Sequence, residues 1–317
     1  GVNGVATSIG HAPLVALINS GIGSRVAIGK ALTNIIWAPL ENGLKSVTLS
    51  ANWMWPCNNP GEDARLYDAV EACSTFAIDL GINIPTGKDS LSMKQKYKDK
   101  EVVSPGTVII SATANCNNIN NVIEPSFINN EDAIYFIDLS SRDLKLGGTA
   151  LAQTLGKIGD ESADLCDAKY FKKVFNTFQN LINSNLITSG HDISSGGLIT
   201  TLLEMCFPEN KIGAKIDLSF YEQSDLVKLF FNENIGIVFQ AKQVVEKEFN
   251  NKEIFYNKIG NVNDSGVLSI TEKNNSYDFL VSKYRDIWYK TSYLLDINQS
   301  GKVKAKERFE NYKNQPL

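Results

Sequence analysis

The segment His191-Asp192-Ile193-Ser194-Ser195-Gly196-Gly197-Leu198 places a polar cluster and two glycines directly before an apolar helical pattern. Backbone N–H groups at a helix start are suited to an anion, and glycines let that anion approach the backbone closely. Asp192 adds a hard carboxylate of the kind that a phosphate-bridging Mg²⁺ prefers. The same residues are also typical of an ordinary helix cap with a glycine turn that binds no ligand. Local chemistry therefore leaves both interpretations open.

Around this segment, helical and strand patterns alternate, which predicts a mixed α/β domain. Beyond about Thr271 the pattern changes, and residues 282–294 predict one helix in a polar exit linker. The predicted helices span 167–187 and 197–206, and the predicted strands span 133–139, 214–218, 235–240 and 255–259.

The first third of the chain shows the same alternation. We take Ser24 as the N-cap of a helix that runs to Ile36, and Gly81 as the C-terminal glycine of a helix over 63–80. Strands are predicted at 47–51, 102–103 and 107–114, and the Asn-rich stretch 115–130 predicts a boundary. The fold class is therefore two α/β (α+β) domains in tandem. We place them at 1–118 and 130–270, with an exit linker at 271–317.

Composition excludes several classes of protein. The 317 residues suit two domains, and 43% apolar with 21% charged residues is typical of a globular chain. A net charge of −4 argues against a duplex-binding protein, since duplex binding needs concentrated positive charge. No membrane span or signal peptide is evident, and five scattered cysteines predict reduced thiols rather than a zinc site. We therefore expect a cytoplasmic protein, and the missing initiator Met suggests a fragment.

A second candidate segment comprises Gly87, Lys88, Asp89, Ser90 and Ser92, which follow a short predicted strand. It offers a cation, a metal ligand and hydroxyl donors within a few residues. The glycine spacing upstream does not fit a phosphate-binding P-loop. A polar β-turn is the competing interpretation.

A third candidate is a helix face. Lys30 and Asn34 are four residues apart, so both side chains can reach the same ligand. A polar stripe on a solvated helix is the alternative. Glycines 147 and 148 before another helical pattern, and Trp53 and Trp55 beside a loop, are weaker signals, because core packing explains such tryptophans equally well.

Taken in order, these segments resemble the second half of the synthetase core of the large, single-chain phosphoribosylformylglycinamidine synthase family. The resemblance covers the whole chain and includes the helix YRDIWYKTSYLL at 284–295. The motifs are GKALTN at 29–34, SANWMWPCNNPGEDARLYDAV at 50–70, IPTGKDSLSM at 84–93, LGGTALAQ at 146–153, HDISSGGL at 191–198 and FNENIG at 231–236.

The resemblance implies an ATP-dependent ligase of purine biosynthesis. Its members convert formylglycinamide ribonucleotide, ATP and glutamine-derived ammonia to formylglycinamidine ribonucleotide, ADP and phosphate. It also implies a fold in which an aminoimidazole-ribonucleotide-synthetase-like N-terminal domain precedes a C-terminal α/β domain and a linker helix. Paired N-terminal domains form a barrel with two nucleotide sites, one catalytic and one that holds structural ADP with Mg²⁺.

The resemblance assigns roles to individual residues. Asn34 and Asp192 match Mg²⁺ ligands, and Ser194, Gly196 and Gly197 match the nucleotide site. Gly87, Lys88, Asp89, Ser90 and Ser92 match the segment that faces the substrate. Lys30 stands where the family usually has Glu, so it is expected to contact phosphate, and the site is expected to be metal-poor, metal-free or empty.

The resemblance also implies missing partners. The first synthetase half and the glutaminase domain lie outside this sequence, so the fragment alone is expected to be inactive and to form a homodimer. The alternative is a catalytically silent scaffold that holds structural ADP. Selenophosphate synthetase and thiamine-phosphate kinase have the same fold, but the former needs a reactive Cys near a glycine-rich N-terminal loop, which this chain lacks.

Overall fold

A mixed four-stranded sheet organises the N-terminal part of the protein. The computed structural model describes residues 1–140, 143–209, 211–221 and 225–312. The sheet order is β1-β6-β2-β3, with β2 and β3 parallel and the other pairs antiparallel. The strands are β1 (Gly4–His11), β2 (Thr48–Met54), β3 (Asn83–Ser90) and β6 (Thr107–Cys116), and β4 (Lys94–Lys96) with β5 (Glu101–Val103) forms a separate hairpin.

Three helices cover one face of this sheet: α1 (Pro13–Ile18), α2 (Ser20–Ile35) and α3 (Glu62–Leu80). The inner face of β6 carries alternating apolar residues, as expected for a strand with one face buried. β1 lies so close to α2 that a Cβ on Gly10 would be 2.1 Å from the Ala27 carbonyl oxygen. Only glycine fits there, and this close contact fixes α2 on the sheet.

The start of α2 differs from the prediction. Asn19, not Ser24, caps the helix, and the Asn19 side chain accepts a hydrogen bond from the Ile22 N–H at 2.9 Å. Ser24 lies inside the helix, where its hydroxyl donates to the Ser20 carbonyl at 3.2 Å. The prediction of a Ser24 cap was wrong because two glycines in the first turn obscured the helix start. The end of α3 at Gly81, with φ of 73°, agrees with the prediction.

A seven-stranded sheet organises the second part of the protein. Its order is β13-β12-β9-β11-β7-β10-β8, with β12 and β9 parallel and the remaining pairs antiparallel. The strands are β7 (Ala133–Asp138), β8 (Ile187–Asp192), β9 (Gly213–Asp217), β10 (Gly236–Ala241), β11 (Asn257–Asn263), β12 (Val267–Glu272) and β13 (Asn275–Leu280). The helices are α4 (Ala150–Thr154), α5 (Ala168–Asn183), α6 (Gly197–Cys206), α7 (Leu226–Phe231) and α8 (Val245–Asn251).

The two faces of this sheet belong to two hydrophobic cores. Tyr135 and Ile137 of β7 pack with α5 and α8, in a core that continues into the N-terminal sheet. Ile134 and Phe136 pack on the other face with α6 and α7. Successive strand residues point to opposite faces, so β7 contributes to both cores. Because the first core is shared, the two sheets are joined by continuous apolar packing.

Buried polar contacts reinforce this junction. Gln179 of α5 accepts a hydrogen bond from the Leu40 N–H at 2.8 Å and donates to the Ile36 carbonyl at 2.6 Å. Its neighbour Asn176 accepts from the Leu44 N–H at 3.1 Å. These bonds satisfy backbone groups just beyond the end of α2. The end of α2 is therefore held at a defined position against the second sheet.

The predicted elements of the second part are largely confirmed, and the mixed α/β fold class is confirmed with them. Helix α6 coincides with its prediction, but the helix predicted to reach Ile187 ends at Asn183. Asn185, with φ of 54°, turns the chain into β8, a strand that was not predicted. Strand β1 was also missed. The second sheet continues to Leu280, ten residues past the boundary predicted at 270.

The C-terminal segment forms two helices where one was predicted. Helices α9 (Val281–Ser300) and α10 (Lys302–Asn311) pair as a hairpin that begins on α6, and residues 313–317 lie outside the described part. The rings of Tyr289 and Tyr312 stack at 3.9 Å, and Arg308 pairs with Asp296 at 2.6 Å. The additional helix was missed because its sequence is strongly polar. Among the described residues, no helix has the length and apolar character needed to cross a membrane.

Candidate functional site

The end of α2 meets the end of β8. The Asn34 side-chain N–H donates to the Asp192 carboxylate at 3.4 Å, although the two residues are 158 positions apart. Asp192 is the last residue of β8 and is only 7% exposed. The nearest ring nitrogen of His191 lies 3.5 Å from the same carboxylate oxygen. The structure thus brings together the two residues predicted as metal ligands.

A cleft of about 490 Å³ opens beside this pair. Its polar end carries Asn34, His191 and Asp192, and most of its remaining wall is apolar. An apolar cleft with a few convergent polar groups is a typical small-molecule site. The wall residues come from β1 (Val5, Ala6 and Thr7), the end of α2 and its continuation (Ile35, Trp37 and Ala38), β6 and the connection after it (Cys116, Ile119, Val122, Ile123 and Pro125) and β8 (Gly190).

The turn between β8 and α6 depends on glycine. Gly196 and Gly197 have φ of 93° and 73°, a region that favours glycine. A Cβ on Gly197 would also lie 2.5 Å from the Asn232 carbonyl oxygen. The turn is therefore tightly packed against the loop before β10. Ser194, at its beginning, is half-buried.

Two N–H groups at the start of α6 are already paired. The Gly196 N–H donates to the Glu233 carboxylate at 2.9 Å, and the Gly197 N–H donates to the Ser194 carbonyl at 3.1 Å. Free N–H groups were predicted here from the sequence, and for these two that prediction was wrong. A carboxylate of the protein itself takes the position expected for an anion.

Lys30 also contacts this carboxylate. Its ammonium nitrogen lies 3.9 Å from the second carboxylate oxygen of Glu233, and both side chains are largely buried. Lys30 and Glu233 adjoin a cavity of only about 10 Å³, which Gly147 and Gly148 also line. Lys30 is one helical turn from Asn34, as predicted, but the two side chains line different cavities. The cation is therefore partly neutralised by an internal partner.

The oxygen donors at the cleft are compatible with Mg²⁺. Mg²⁺ is commonly held by one or two carboxylates together with phosphate oxygens and several waters. Asp192 supplies a carboxylate, and a half-turn of the Asn34 amide would present its oxygen. Among the described residues, no cluster of three or more His, Cys, Asp or Glu side chains could hold a metal ion. A magnesium ion here would need further oxygen ligands from phosphate and water.

The segment predicted to face a substrate is a strand, not a turn. Residues 87–90 lie within β3, an edge strand, and the whole segment from Gly87 to Ser92 is exposed. Its polar character is explained by this edge position. β3 is separated from β1 by β2 and β6, which corresponds to about 14 Å at the usual strand spacing. The segment therefore does not line the cleft beside Asn34 and Asp192.

Sequence reasoning missed Glu233 as a site residue. The residue stands in the FNENIG segment, between two buried asparagines. The available signal was its place in the FNENIG segment, one of the motifs that carry the family resemblance. Its partners could not be named from sequence, since they lie 37, 83 and more than 200 positions away.

Comparison with known proteins gives two domain matches. Residues 1–115 match the FGAR-AT PurM_N-like domain, and residues 130–273 match the C-terminal domain of AIR synthase related proteins. A probable phosphoribosylformylglycinamidine synthase of Arabidopsis thaliana is 38% identical over 306 residues, covering 93% of this chain and 21% of the relative. The Homo sapiens phosphoribosylformylglycinamidine synthase is 34% identical over 303 residues, covering 92% of this chain and 22% of the relative.

A solved structure supports the fold independently. The structure of T. maritima PurL complexed with FGAR matches with a TM-score of 0.69 at 13% identity, and covers 90% of this chain and 46% of that one. Structures of the same protein complexed with ATP and ADP match with TM-scores of 0.64 and 0.65. This chain spans about a fifth of the length of its curated relatives. The chain therefore consists of an FGAR-AT PurM_N-like domain followed by an AIR synthase related C-terminal domain, and nine tenths of its length is similar to part of the phosphoribosylformylglycinamidine synthases of two other organisms.

Proposed function

We propose that this chain is the second half of the synthetase core of a phosphoribosylformylglycinamidine synthase and that its cleft holds an adenine nucleotide. The contact of Asn34 with Asp192 beside the 490 Å³ cleft is the observation that carries the proposal. These residues come from the two different domains, so the site exists only when the domains are docked. Relatives with this name match nine tenths of the chain, and structural neighbours were solved with ATP and ADP.

Within this proposal, each polar side chain has a defined task. Asn34 and Asp192 would hold Mg²⁺ through oxygen atoms, and the Ser194 hydroxyl would contact the nucleotide. Lys30 lines a separate, small cavity, so it would act on the phosphates only through its positive charge at a distance, and Glu233 at 3.9 Å offsets part of that charge. Phosphoryl transfer depends mainly on positioning and charge neutralisation, so these groups suit a nucleotide site without a protein nucleophile. Mg²⁺ bound to the phosphates would neutralise part of their charge.

The chemistry of the whole enzyme extends beyond this chain. In the proposed reaction, ATP phosphorylates the amide oxygen of formylglycinamide ribonucleotide, and ammonia then displaces phosphate to give the amidine. A glutaminase domain would supply the ammonia. The exposed strand segment at 87–92 would face the substrate together with the first synthetase half. The fragment alone would be inactive.

A structural role for the nucleotide is the second candidate. The substrate-facing segment lies about 14 Å from β1, across the sheet, and does not line the cleft. A nucleotide in the cleft would therefore not meet a substrate held at this segment of the same chain. This separation favours ADP held as a scaffold, with the catalytic nucleotide elsewhere in the complete enzyme.

The outer face of the N-terminal sheet supports a pairing partner. Val5 and Ile9 project from β1 and are 66% and 62% exposed. A sheet face with exposed apolar residues is suited to pack against another sheet. In the whole enzyme the partner would be the first synthetase half. In the isolated fragment a second copy would take its place, giving a homodimer.

Calorimetry tests the nucleotide site. The native chain should bind ADP with Mg²⁺, and Asp192→Ala or Asn34→Ala should weaken binding at least tenfold. Asp79→Ala, an exposed carboxylate on α3, is the matched control and should bind normally. Absence of binding by the native chain, or binding unchanged in Asp192→Ala, would contradict the proposed site.

An activity assay tests whether the chain alone is a complete enzyme, which neither candidate function predicts. The chain is given formylglycinamide ribonucleotide, ATP and ammonia, and phosphate release is measured. Both candidates predict no turnover by the chain alone. Sustained turnover would show that the substrate and the nucleotide meet within this chain.

A further inference from the structure

Glu233 is a largely buried carboxylate that joins three segments distant in sequence. One carboxylate oxygen accepts hydrogen bonds from the Ala150 N–H at 2.7 Å and the Gly196 N–H at 2.9 Å. The other oxygen lies 3.9 Å from the Lys30 ammonium nitrogen. Its side chain is only 10% exposed. The three partners belong to the start of α4, the turn before α6 and the middle of α2.

The loop that carries Glu233 is held on both sides. Asn232 donates from its side chain to the Lys228 carbonyl at 2.8 Å, and Asn234 donates to the Asp138 carboxylate at 3.1 Å. Gly197 packs directly against the Asn232 carbonyl. Glu233 therefore projects from an anchored loop, and its carboxylate has a fixed position.

The charges around Glu233 explain why a carboxylate is stable there. A buried carboxylate without partners is strongly unfavourable, but N–H groups at helix starts and a nearby ammonium group offset the loss of water. The three partners are in turn held in place by their contacts with one carboxylate. Both glycine-containing turns, at 147–149 and 195–197, and Lys30 are oriented by the same two oxygen atoms.

We propose that Glu233 is a positioning residue for the nucleotide site, and this inference rests on the proposed function. It fixes the turn that carries Ser194 and fixes Lys30, which lies one helical turn from Asn34. It also means that the Gly196 N–H already has a partner and is not available to the nucleotide phosphates. Glu233 itself does not touch the ligand.

Three variants of the full chain test this role: Glu233→Ala, Glu233→Gln and Glu233→Asp. Gln retains an oxygen that can accept both N–H groups, whereas Ala removes both bonds. We expect Glu233→Ala to weaken ADP–Mg²⁺ binding at least tenfold and Glu233→Gln to stay within about threefold of the native chain. Rescue by the conservative variant distinguishes positioning by the accepting oxygen from a requirement for the charge.

Amide hydrogen exchange provides a readout that does not depend on nucleotide. In Glu233→Ala the Ala150 and Gly196 amides should exchange at least tenfold faster, while amides in β6 remain unchanged. If Glu233→Ala does not fold, Glu233→Asp should show the faster exchange and Glu233→Gln should not.

The outcomes separate the inference from the proposed function. If no form binds ADP, the proposed function fails, and so does the part of this inference that concerns the ligand. The exchange data then still decide whether Glu233 fixes the two turns. If Glu233→Ala binds ADP as well as the native chain, or if its two amides keep their native exchange rates, the positioning role is overturned.

Discussion

The Asn34 amide and the Asp192 carboxylate meet at 3.4 Å, one from the N-terminal unit and one from the second sheet. Neither residue would be at the cleft if α2 shifted relative to β8. The shared hydrophobic core and the buried contacts of Gln179 prevent such a shift. The candidate site is thus a property of how the two units dock.

Gln179→Leu should loosen this docking. The substitution removes both hydrogen bonds of the side chain and leaves the Leu40 N–H and the Ile36 carbonyl without their partner. An unsatisfied buried polar group costs about 1–3 kcal/mol, so we expect the free energy of unfolding to fall by about 2–4 kcal/mol. Denaturant unfolding measures the change. Gln153→Leu, at an exposed position, is the control and should leave stability within about 0.5 kcal/mol.

Gly197→Ala should disrupt the turn before α6. The new Cβ would lie 2.5 Å from the Asn232 carbonyl oxygen, and the residue would keep a φ of 73°. Gly61 is a matched control, because its φ is 81° and a Cβ added there would have no other atom within 4 Å. Gly61→Ala should cost about 1 kcal/mol from backbone conformation alone, whereas Gly197→Ala should cost at least twice as much. Equal melting temperatures of the two variants would contradict this prediction.

Lys30 should determine how far nucleotide binding depends on magnesium, if the proposed site is correct. Lys30→Glu would place a second carboxylate close to Glu233, and this excess of negative charge would repel phosphate unless Mg²⁺ is present. We expect ADP affinity to change about threefold between Mg²⁺ and EDTA in the native chain, and at least tenfold in Lys30→Glu. Lys30→Met serves as the uncharged control. The same magnesium dependence in all three chains would rule out a role for Lys30.

The C-terminal hairpin should loosen in acid. A hydrogen bond from Ser300 and the bonds from Arg308 hold the pKa of Asp296 below its ordinary value. A carboxyl with a lowered folded pKa stabilises the folded state above its unfolded pKa of about 3.9, and this contribution disappears as the pH falls through the folded pKa. Amide exchange in α10, followed from pH 6 to pH 3, should report this loss of protection. Asp296→Asn should show weaker protection at pH 6 and little further change in acid.

The five thiols should differ sharply in reactivity. Burial raises the pKa of Cys73 and of Cys206 to about 12, whereas Cys166 is exposed. Since the thiolate is the reactive form, a disulfide reagent at pH 8 should label Cys166 in the native chain and spare Cys73 and Cys206. Labelled peptides identified by mass spectrometry check the order, and Cys166→Ser should remove the fast phase. Rapid labelling of Cys206 in the folded chain would show that α6 opens readily.

Much of the fold could be predicted because its signals are local. The helix over 197–206 has a glycine turn before it and a continuous apolar pattern, and the prediction matches the structure. Strand β1 and helix α10 were missed because their side chains are largely exposed, so their sequences show little of the apolar periodicity that indicates a strand or a helix. For the segment at 87–90 the sequence left a ligand-binding segment and a polar β-turn open and did not predict a strand, because polar residues favour turns; its exposed edge position tolerates them in a strand.

The sequence by itself determined the mixed α/β class and the glycine turn before α6, since these depend on residue type and short spacing, and the family resemblance of the sequence supplied the pair of candidate ligands. Tertiary structure alone decided that Asn34 reaches Asp192, that the substrate-facing segment lies across the sheet from the cleft, and that Glu233 occupies the Gly196 N–H. The physical reason is that these contacts join residues 37 to 158 positions apart. Packing of the two sheets brings these residues together, and local residue propensities do not predict contacts over such separations in the chain.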